Sequence, residues 1–207
     1  MENKTYNVRF LTEEIETTVT SSASVVAKWI KSIRREELRI VGLDVEWRPN
    51  FSGGRRNPVA TLQLCIGERC LIYQIIHSHQ IPGSLVSFLS LSRKFSHITF
   101  VGVGIKSDLE KLQSDYGIGG GARCVDLRDM AAEEYDMDEL ERASLQRLAS
   151  GVLGKKVEKP KAVTLSSWDE ECLTPEQVKY ACIDAYLSFA LGNALGTRCT
   201  CCGLIFC

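Results

Sequence analysis

Residues 39–47 read RIVGLDVEW and combine a β-branched, apolar run with two acids that stand two positions apart. Side chains in a strand alternate between the two faces of a sheet, so Asp44 and Glu46 share one face. An acid beside a buried element is costly unless something neutralises its charge. The stretch therefore predicts a buried strand of an α/β fold that directs two carboxylates to one place.

Two further blocks place polar groups according to the period of their own elements. Asp108 follows the apolar run ITFVGVGI, where a strand would end and a helix would begin. Tyr180 and Asp184 lie four residues apart in a helical stretch, which puts them on one helix face. Each block alone also fits a structural role: Asp108 can cap its helix, Asp184 can be a satisfied buried acid, and Tyr180 can bond a backbone carbonyl.

Taken together, the blocks predict one metal site built from Asp44, Glu46, Asp108 and Asp184, with Tyr180 beside it. Two divalent cations would supply four positive charges against four carboxylates. Hard carboxylate oxygens favour Mg²⁺ or Mn²⁺ over zinc, which prefers His and Cys. The predicted cofactor is therefore a pair of divalent cations, Mg²⁺ or Mn²⁺.

Length and composition indicate an ordinary globular domain. The chain has 207 residues, 44% hydrophobic and 25% charged, with a formal net charge of −1. Polyanion binding must therefore be local, through a patch or through metal. No apolar run approaches the ~20 residues of a membrane span, and the N-terminus lacks a signal-peptide core. We expect an intracellular protein, in the nucleus or cytoplasm.

The periodicity predicts a mixed sheet flanked by helices. An N-terminal hairpin at 5–20 and a helix at 23–37 precede the strand that carries the first two acids. Two hairpin-linked strands follow, and then strands alternate with helices. The predicted elements after residue 58 are strands at 59–67, 69–75 and 97–103 and helices at 83–92, 106–116, 127–136, 143–152 and 175–195. Thr174 is the expected N-cap of the last helix.

Nine cysteines are present, but their placement argues against a disulfide framework. Five are dispersed singly, as small buried thiols commonly are. The other four crowd into CTCCGLIFC at 199–207, whose spacing matches no usual two-plus-two zinc arrangement. Residues 196–207 are therefore predicted to be a Cys-rich tail rather than a metal clip.

From about residue 38 to 195 the chain resembles the DEDD-type 3′–5′ exonucleases of the ribonuclease-H-like superfamily. Tyr180 places it in the DEDDy branch, with ribonuclease D and the Werner-syndrome exonuclease domain. The resemblance rests on five stretches of sequence: LDVEW, VATLQLC, VGVGIKSDLEKL, SLQRLASGVLGKKVEKPK and SSWDEECLTPEQVKYACIDAY. It implies an exonuclease domain at 38–195 with a ribonuclease-H-like sheet, joined in one unit by residues 1–37.

The resemblance also implies the chemistry. Nucleotides would be removed from 3′ ends of DNA or RNA by a two-metal mechanism, with Asp44 bridging both ions. Glu46, Asp108 and Asp184 would complete the metal shells. A phenol with a pKa of about 10 stays protonated at neutral pH, so we expect Tyr180 to orient the metal-bound water by hydrogen bonding rather than to act as a base. The alternative is a protein of the same fold that only binds nucleic acid or acts as an oligomeric scaffold. Some standalone relatives form hexamers, so assembly into a homo-oligomer is compatible with catalysis.

Four residues are candidates for contact with nucleic acid. Trp47 can stack on a terminal base or can belong to the core, and the sequence favours neither. Arg55 and Arg56 lie in a Gly-rich loop where they can meet phosphates, although exposed loop arginines are ordinary. Lys106 is two residues before Asp108 and thus near the predicted site.

Overall fold

A seven-stranded mixed sheet forms the centre of the molecule, with strand order β1-β2-β5-β4-β3-β6-β7. The structure is a computed structural model that describes residues 3–33, 39–50, 56–90, 95–158 and 160–199. Helices flank the sheet, which confirms the α/β fold with a mixed sheet that the sequence predicts. The strands are β1 (Lys4–Phe10), β2 (Glu13–Thr20), β3 (Ile40–Glu46), β4 (Thr61–Ile66), β5 (Arg69–Tyr73), β6 (Thr99–Gly102) and β7 (Cys124–Asp126).

Seven α-helices accompany these strands in the described part of the chain. They are α1 (Ala23–Ile33), α2 (Gly83–Phe88), α3 (Ile105–Tyr116), α4 (Leu127–Tyr135), α5 (Leu145–Leu153), α6 (Lys161–Thr164) and α7 (Pro175–Cys199). The predicted N-cap of α7 is present as a reciprocal pair: Gln177 N donates to Thr174 Oγ1, and Thr174 N donates to Gln177 Oε1. This capping box satisfies backbone donors at the start of α7 and fixes where it begins.

The N-terminal hairpin is part of the main sheet. β1 and β2 pair antiparallel, as predicted, and β2 then pairs parallel with β5. Ile15 on β2 is fully buried, and Phe10 on β1 makes an edge-to-face contact with Tyr186 of α7. The hairpin is therefore held by the same core as the rest of the sheet.

Helix α7 packs across β3, β4, β5 and β6, and it does so because Gly42 has no side chain. A Cβ at Gly42 would lie 2.1 Å from the carbonyl oxygen of Ala185 and 2.5 Å from the backbone nitrogen of Phe189. Gly42 lies two residues before Asp44 on the same face of β3. The close approach therefore brings α7 directly onto the face that carries Asp44 and Glu46.

The carboxyl ends of three strands meet at one edge of the sheet. β3 pairs parallel with β6, and β6 pairs parallel with β7. Parallel neighbours end at the same edge, so the acids that follow or end these strands gather there. Strand β7 was not predicted from the sequence, which assigns residues 117–123 to a loop and starts a helix at 127.

Along the ranges that the structure describes, no helix combines the length and the apolar character required to cross a membrane. Cys199, the first residue of the CTCCGLIFC segment, is the last residue of α7. Residues 200–207, the rest of that segment, lie outside the described residues. The prediction of a Cys-rich tail therefore stays a prediction.

Candidate metal centre

Three carboxylates from two elements converge at the edge of the sheet. Oxygens of Asp44, Glu46 and Asp184 all lie within 4.8 Å of one another. β3 supplies the first two through its two-residue period, and α7 supplies the third through its close packing on Gly42. Asp184 is 4% exposed, so its charge has little access to solvent. Two carboxylates at ~4 Å repel by about 4 kcal/mol at an effective dielectric of about 20.

Tyr180 lies with these acids, one helical turn before Asp184. Burial raises the pKa of its phenol well above the ordinary value, and the charges of Asp184 and Glu46, a hydrogen bond with Asp184 and the charge of Asp44 raise it further. Its ring packs at 6.0 Å between centroids against the fully buried ring of Trp168. The phenol therefore stays protonated at neutral pH, and it can donate a hydrogen bond but cannot act as a base.

Asp108 stands apart from the three-carboxylate cluster. It occupies the first turn of α3, which begins where β6 ends. Burial raises the pKa of its carboxyl to about 7, with a further rise from the charge of Asp126 and an opposing effect from Arg128. Asp108 thus belongs to the same edge of the sheet, but the charged groups that act on it are Asp126 at the end of β7 and Arg128 at the start of α4.

The donor set fits hard divalent cations. The clustered ligand atoms are all carboxylate oxygens, the atoms that Mg²⁺ and Mn²⁺ prefer. Their mutual repulsion and the burial of Asp184 give a cation a strong electrostatic reason to bind. Asp44, Glu46 and Asp184 would hold such an ion together, and Asp108 stands at the same edge of the sheet, outside this cluster.

The residues predicted to touch nucleic acid have different surroundings. Trp47 is partly buried against the core, and the ammonium of Lys111 lies 5.1 Å from its ring centroid. Arg56 is exposed and lines a cavity of about 860 Å³ between the loop after β3 and α3. Lys106 is exposed and lies 3.8 Å from the carboxylate of Asp129. Arg55 lies outside the described residues.

Two polar residues beneath the acids were not singled out from the sequence. Gln63 and Thr61 are the direct cross-strand partners of Asp44 and Glu46, and both are fully buried. Gln63 Nε2 donates to Thr61 Oγ1 at 2.6 Å. Opposed residues share a face of the sheet, so this pair forms a polar layer beside the acids. Two polar residues inside the apolar strand VATLQLC are the signal that could have revealed them.

The chain matches the family model described as 3′–5′ exonuclease over residues 17–199. It is 34% identical over 166 residues to the mouse bifunctional 3′–5′ exonuclease/ATP-dependent helicase WRN, covering 80% of this chain and 11% of that protein. It is also 34% identical over 190 residues to an Arabidopsis thaliana 3′–5′ exonuclease, covering 90% of this chain and 63% of that protein. The chain thus spans less than two thirds of either relative.

Solved structures share the fold at lower identity. The EXO domain of Aedes aegypti Nibbler superposes with a TM-score of 0.71 at 19% identity, over 90% of this chain and 89% of that one. Escherichia coli RNase D superposes with a TM-score of 0.72 at 17% identity, over 89% of this chain and 45% of that one. Both likenesses concern the arrangement of strands and helices.

Proposed function

The chain belongs to the 3′–5′ exonuclease family, and on that basis we propose that it is a metal-dependent exonuclease that shortens DNA or RNA from the 3′ end. The observation that carries the proposal is the convergence of Asp44, Glu46 and Asp184 within 4.8 Å. Such a cluster has no evident structural purpose, because like charges this close destabilise the fold unless a cation joins them.

We assign metal binding to Asp44, Glu46, Asp108 and Asp184. A pair of divalent cations bound by these acids would supply a nucleophilic water at neutral pH and would stabilise charge on the leaving oxygen. The acids would hold the cations in place, and Asp184 would do so from a largely buried position. Two ions, rather than one, are proposed because Asp108 lies outside the close cluster yet at the same edge.

We assign to Tyr180 the orientation of the attacking water. Its phenol remains protonated beside the acids, because burial and their negative charge oppose its ionisation. A fixed O–H donor in a site with little solvent can hold a water in one orientation. The ring of Tyr180 packs against the buried ring of Trp168, and its hydroxyl lies beside the carboxylate of Asp184.

The proposal is tested with matched 5′-labelled single-stranded DNA, single-stranded RNA and recessed duplexes. Purified protein is incubated with Mg²⁺, Mn²⁺ or EDTA, and products are resolved by length. We expect a ladder that shortens from the 3′ end with metal alone and is abolished by Asp44→Ala. A wild-type protein that binds these substrates without shortening them would instead support the non-catalytic alternative.

Self-association is a separate part of the proposal. We propose assembly into a homo-oligomer, of which a hexamer is one form, on the strength of the family resemblance. Light scattering of the purified chain measures its mass directly. A monomeric mass at micromolar protein would contradict assembly and leave the exonuclease proposal intact.

A further inference from the structure

Arg128 is a cation fixed at the edge of the sheet where the acids gather. It is the second residue of α4, which begins directly after β7 ends at Asp126. Its Nε lies 3.0 Å from Asp126 Oδ1 and its Nη2 lies 2.7 Å from Oδ2, a two-point pairing of guanidinium and carboxylate. Such pairs hold a guanidinium in one orientation.

The same carboxylate ties Arg128 to the helix that carries Asp108. Asp126 Oδ2 accepts a hydrogen bond from Gly104 N at 2.9 Å, and Gly104 immediately precedes α3. A Cβ on Gly104 would lie 3.8 Å from Arg128 Nη2. The guanidinium is therefore held against the start of α3, one turn from Asp108, and its charge acts on the Asp108 carboxyl.

Pairing with Asp126 accounts for only one edge of the guanidinium. Arg128 neutralises the buried carboxylate of Asp126. Burial alone would raise the pKa of Asp126, but the hydrogen bonds from Arg128 and Gly104 lower it. The described residues provide partners for Nε and Nη2, whereas a guanidinium carries five N–H donors. The side chain of Arg128 is 32% exposed against 5% for Asp126, so its remaining donors have access to solvent.

We propose that Arg128 binds a non-bridging phosphate oxygen of the nucleic-acid strand at the carboxylate site. The inference rests on the proposed function. A net charge of −1 gives the chain no general attraction for a polyanion, and the cluster of acids repels one locally unless nearby cations offset that repulsion. A guanidinium held by a buried carboxylate loses little entropy when it binds, and its planar fork matches phosphate.

The test measures binding of a fluorescein-labelled single-stranded oligonucleotide by anisotropy over a series of KCl concentrations, with Mg²⁺ present. All variants carry Asp44→Ala so that the strand is not degraded. We compare Arg128→Gln with Arg147→Gln, which also removes an exposed arginine paired with an acid, Glu139 at 2.8 Å. Arg128→Lys keeps a cation beside the buried Asp126.

We expect Arg128→Gln to weaken binding about tenfold at low salt, as loss of one charge-assisted hydrogen-bonded contact does. The slope of log affinity against log salt should become shallower by about 0.7, the value for one phosphate contact on a single strand. Arg128→Lys should keep the slope and lose affinity severalfold, and Arg147→Gln should match the parent.

A slope for Arg128→Gln equal to that of the parent would overturn the phosphate contact, even if the melting temperature falls. Should Arg128→Gln fail to fold, an Arg128→Lys protein with the parent's affinity and slope would overturn the role of the planar fork. No binding by the Asp44→Ala parent would overturn this contact, and nucleic-acid recognition would be overturned as well if the wild type also failed to shorten the strand with metal. Metal-dependent shortening by the wild type with an unchanged Arg128→Gln slope would overturn this contact alone.

Discussion

At the scale of single residues, position decides which acids and donors can act. Tyr180 is a hydrogen-bond donor because burial and three nearby acids oppose loss of its proton. Asp108 differs from the clustered acids because its neighbours are Asp126 and Arg128. The same side-chain chemistry therefore has different consequences at each place along the edge of the sheet.

Replacement of Tyr180 by phenylalanine should lower kcat by about 100-fold, because one fixed donor in a catalytic site contributes about that much. Folding should change little, since the loss of one hydroxyl costs about 1 kcal/mol. Single-turnover cleavage and urea unfolding measure the two effects. Tyr186→Phe is the matched control, because the charges that act on its phenol are those of Lys155 and Glu13 and not those of the clustered carboxylates. Full activity of Tyr180→Phe would refute the assigned role.

The Asp108 carboxyl should make the metal-free protein less stable as the pH rises. Its pKa is about 7 in the folded chain and 3.8 ordinarily, so the folded state binds the extra proton between these values. The stabilisation is complete below pH ~4 and is lost as the pH passes ~7. In EDTA at pH 8, the unfolding free energy of Asp108→Asn should therefore exceed that of the wild type. The difference should be a few kcal/mol, on the order of what the rise in the pKa of Asp108 implies, and it should be smaller at pH 5.

Urea unfolding at both pH values checks this expectation. Glu110→Gln removes an exposed acid from the same helix and serves as the control. If the wild type gains stability relative to Asp108→Asn between pH 5 and pH 8, the perturbed carboxyl is assigned to the wrong residue.

At the scale of elements, the site depends on how closely α7 approaches β3. Asp44 and Glu46 are fixed by the strand, whereas Asp184 and Tyr180 reach them only because α7 packs against Gly42. The helix is positioned at its start by the capping box of Thr174 and Gln177. The direct backbone contact between β3 and α7 at Gly42 therefore determines the distance between the acids on these two elements.

Gly42→Ala should separate α7 from β3, because the added Cβ would overlap the backbone of Ala185 and Phe189. We expect a loss of about 1–3 kcal/mol in unfolding free energy, which is typical of overpacking. We also expect kcat to fall, because the clustered acid on α7 would lie farther from those on β3. Gly151→Ala is the control: it lies in α5 with no atom within 4 Å of the added Cβ, and it should stabilise by up to ~1 kcal/mol. Equal stability of the two variants would contradict this account of the packing.

At the scale of the whole molecule, the sequence predicts most elements but fewer of their contacts. Alternation and helical spacing are local properties, so β3 and α7 are predicted close to their observed bounds. The three residues of β7 follow a Gly-rich segment and are too short to show a period. The parallel pairing of β2 with β5 joins residues about 50 positions apart, which no local pattern encodes.

The candidate site shows the same division. The spacing of Asp44 with Glu46 and of Tyr180 with Asp184 predicts which side chains share a face, and the structure brings both pairs together. No spacing predicts how far Asp108 stands from them, because that distance depends on how α3 sits against β3 and β7. The pairing of Asp126 with Arg128 is likewise a contact at the end of a strand that the sequence did not predict.

We propose that acids from separate elements hold two divalent cations at one edge of the sheet. A crystal structure of the wild-type protein with Mn²⁺, with anomalous scattering recorded at the manganese edge, counts and locates the ions. We predict two anomalous peaks, one contacting Asp44, Glu46 and Asp184 and the other contacting Asp44 and Asp108. Saturating Mn²⁺ without a peak at the three clustered carboxylates would contradict the claim.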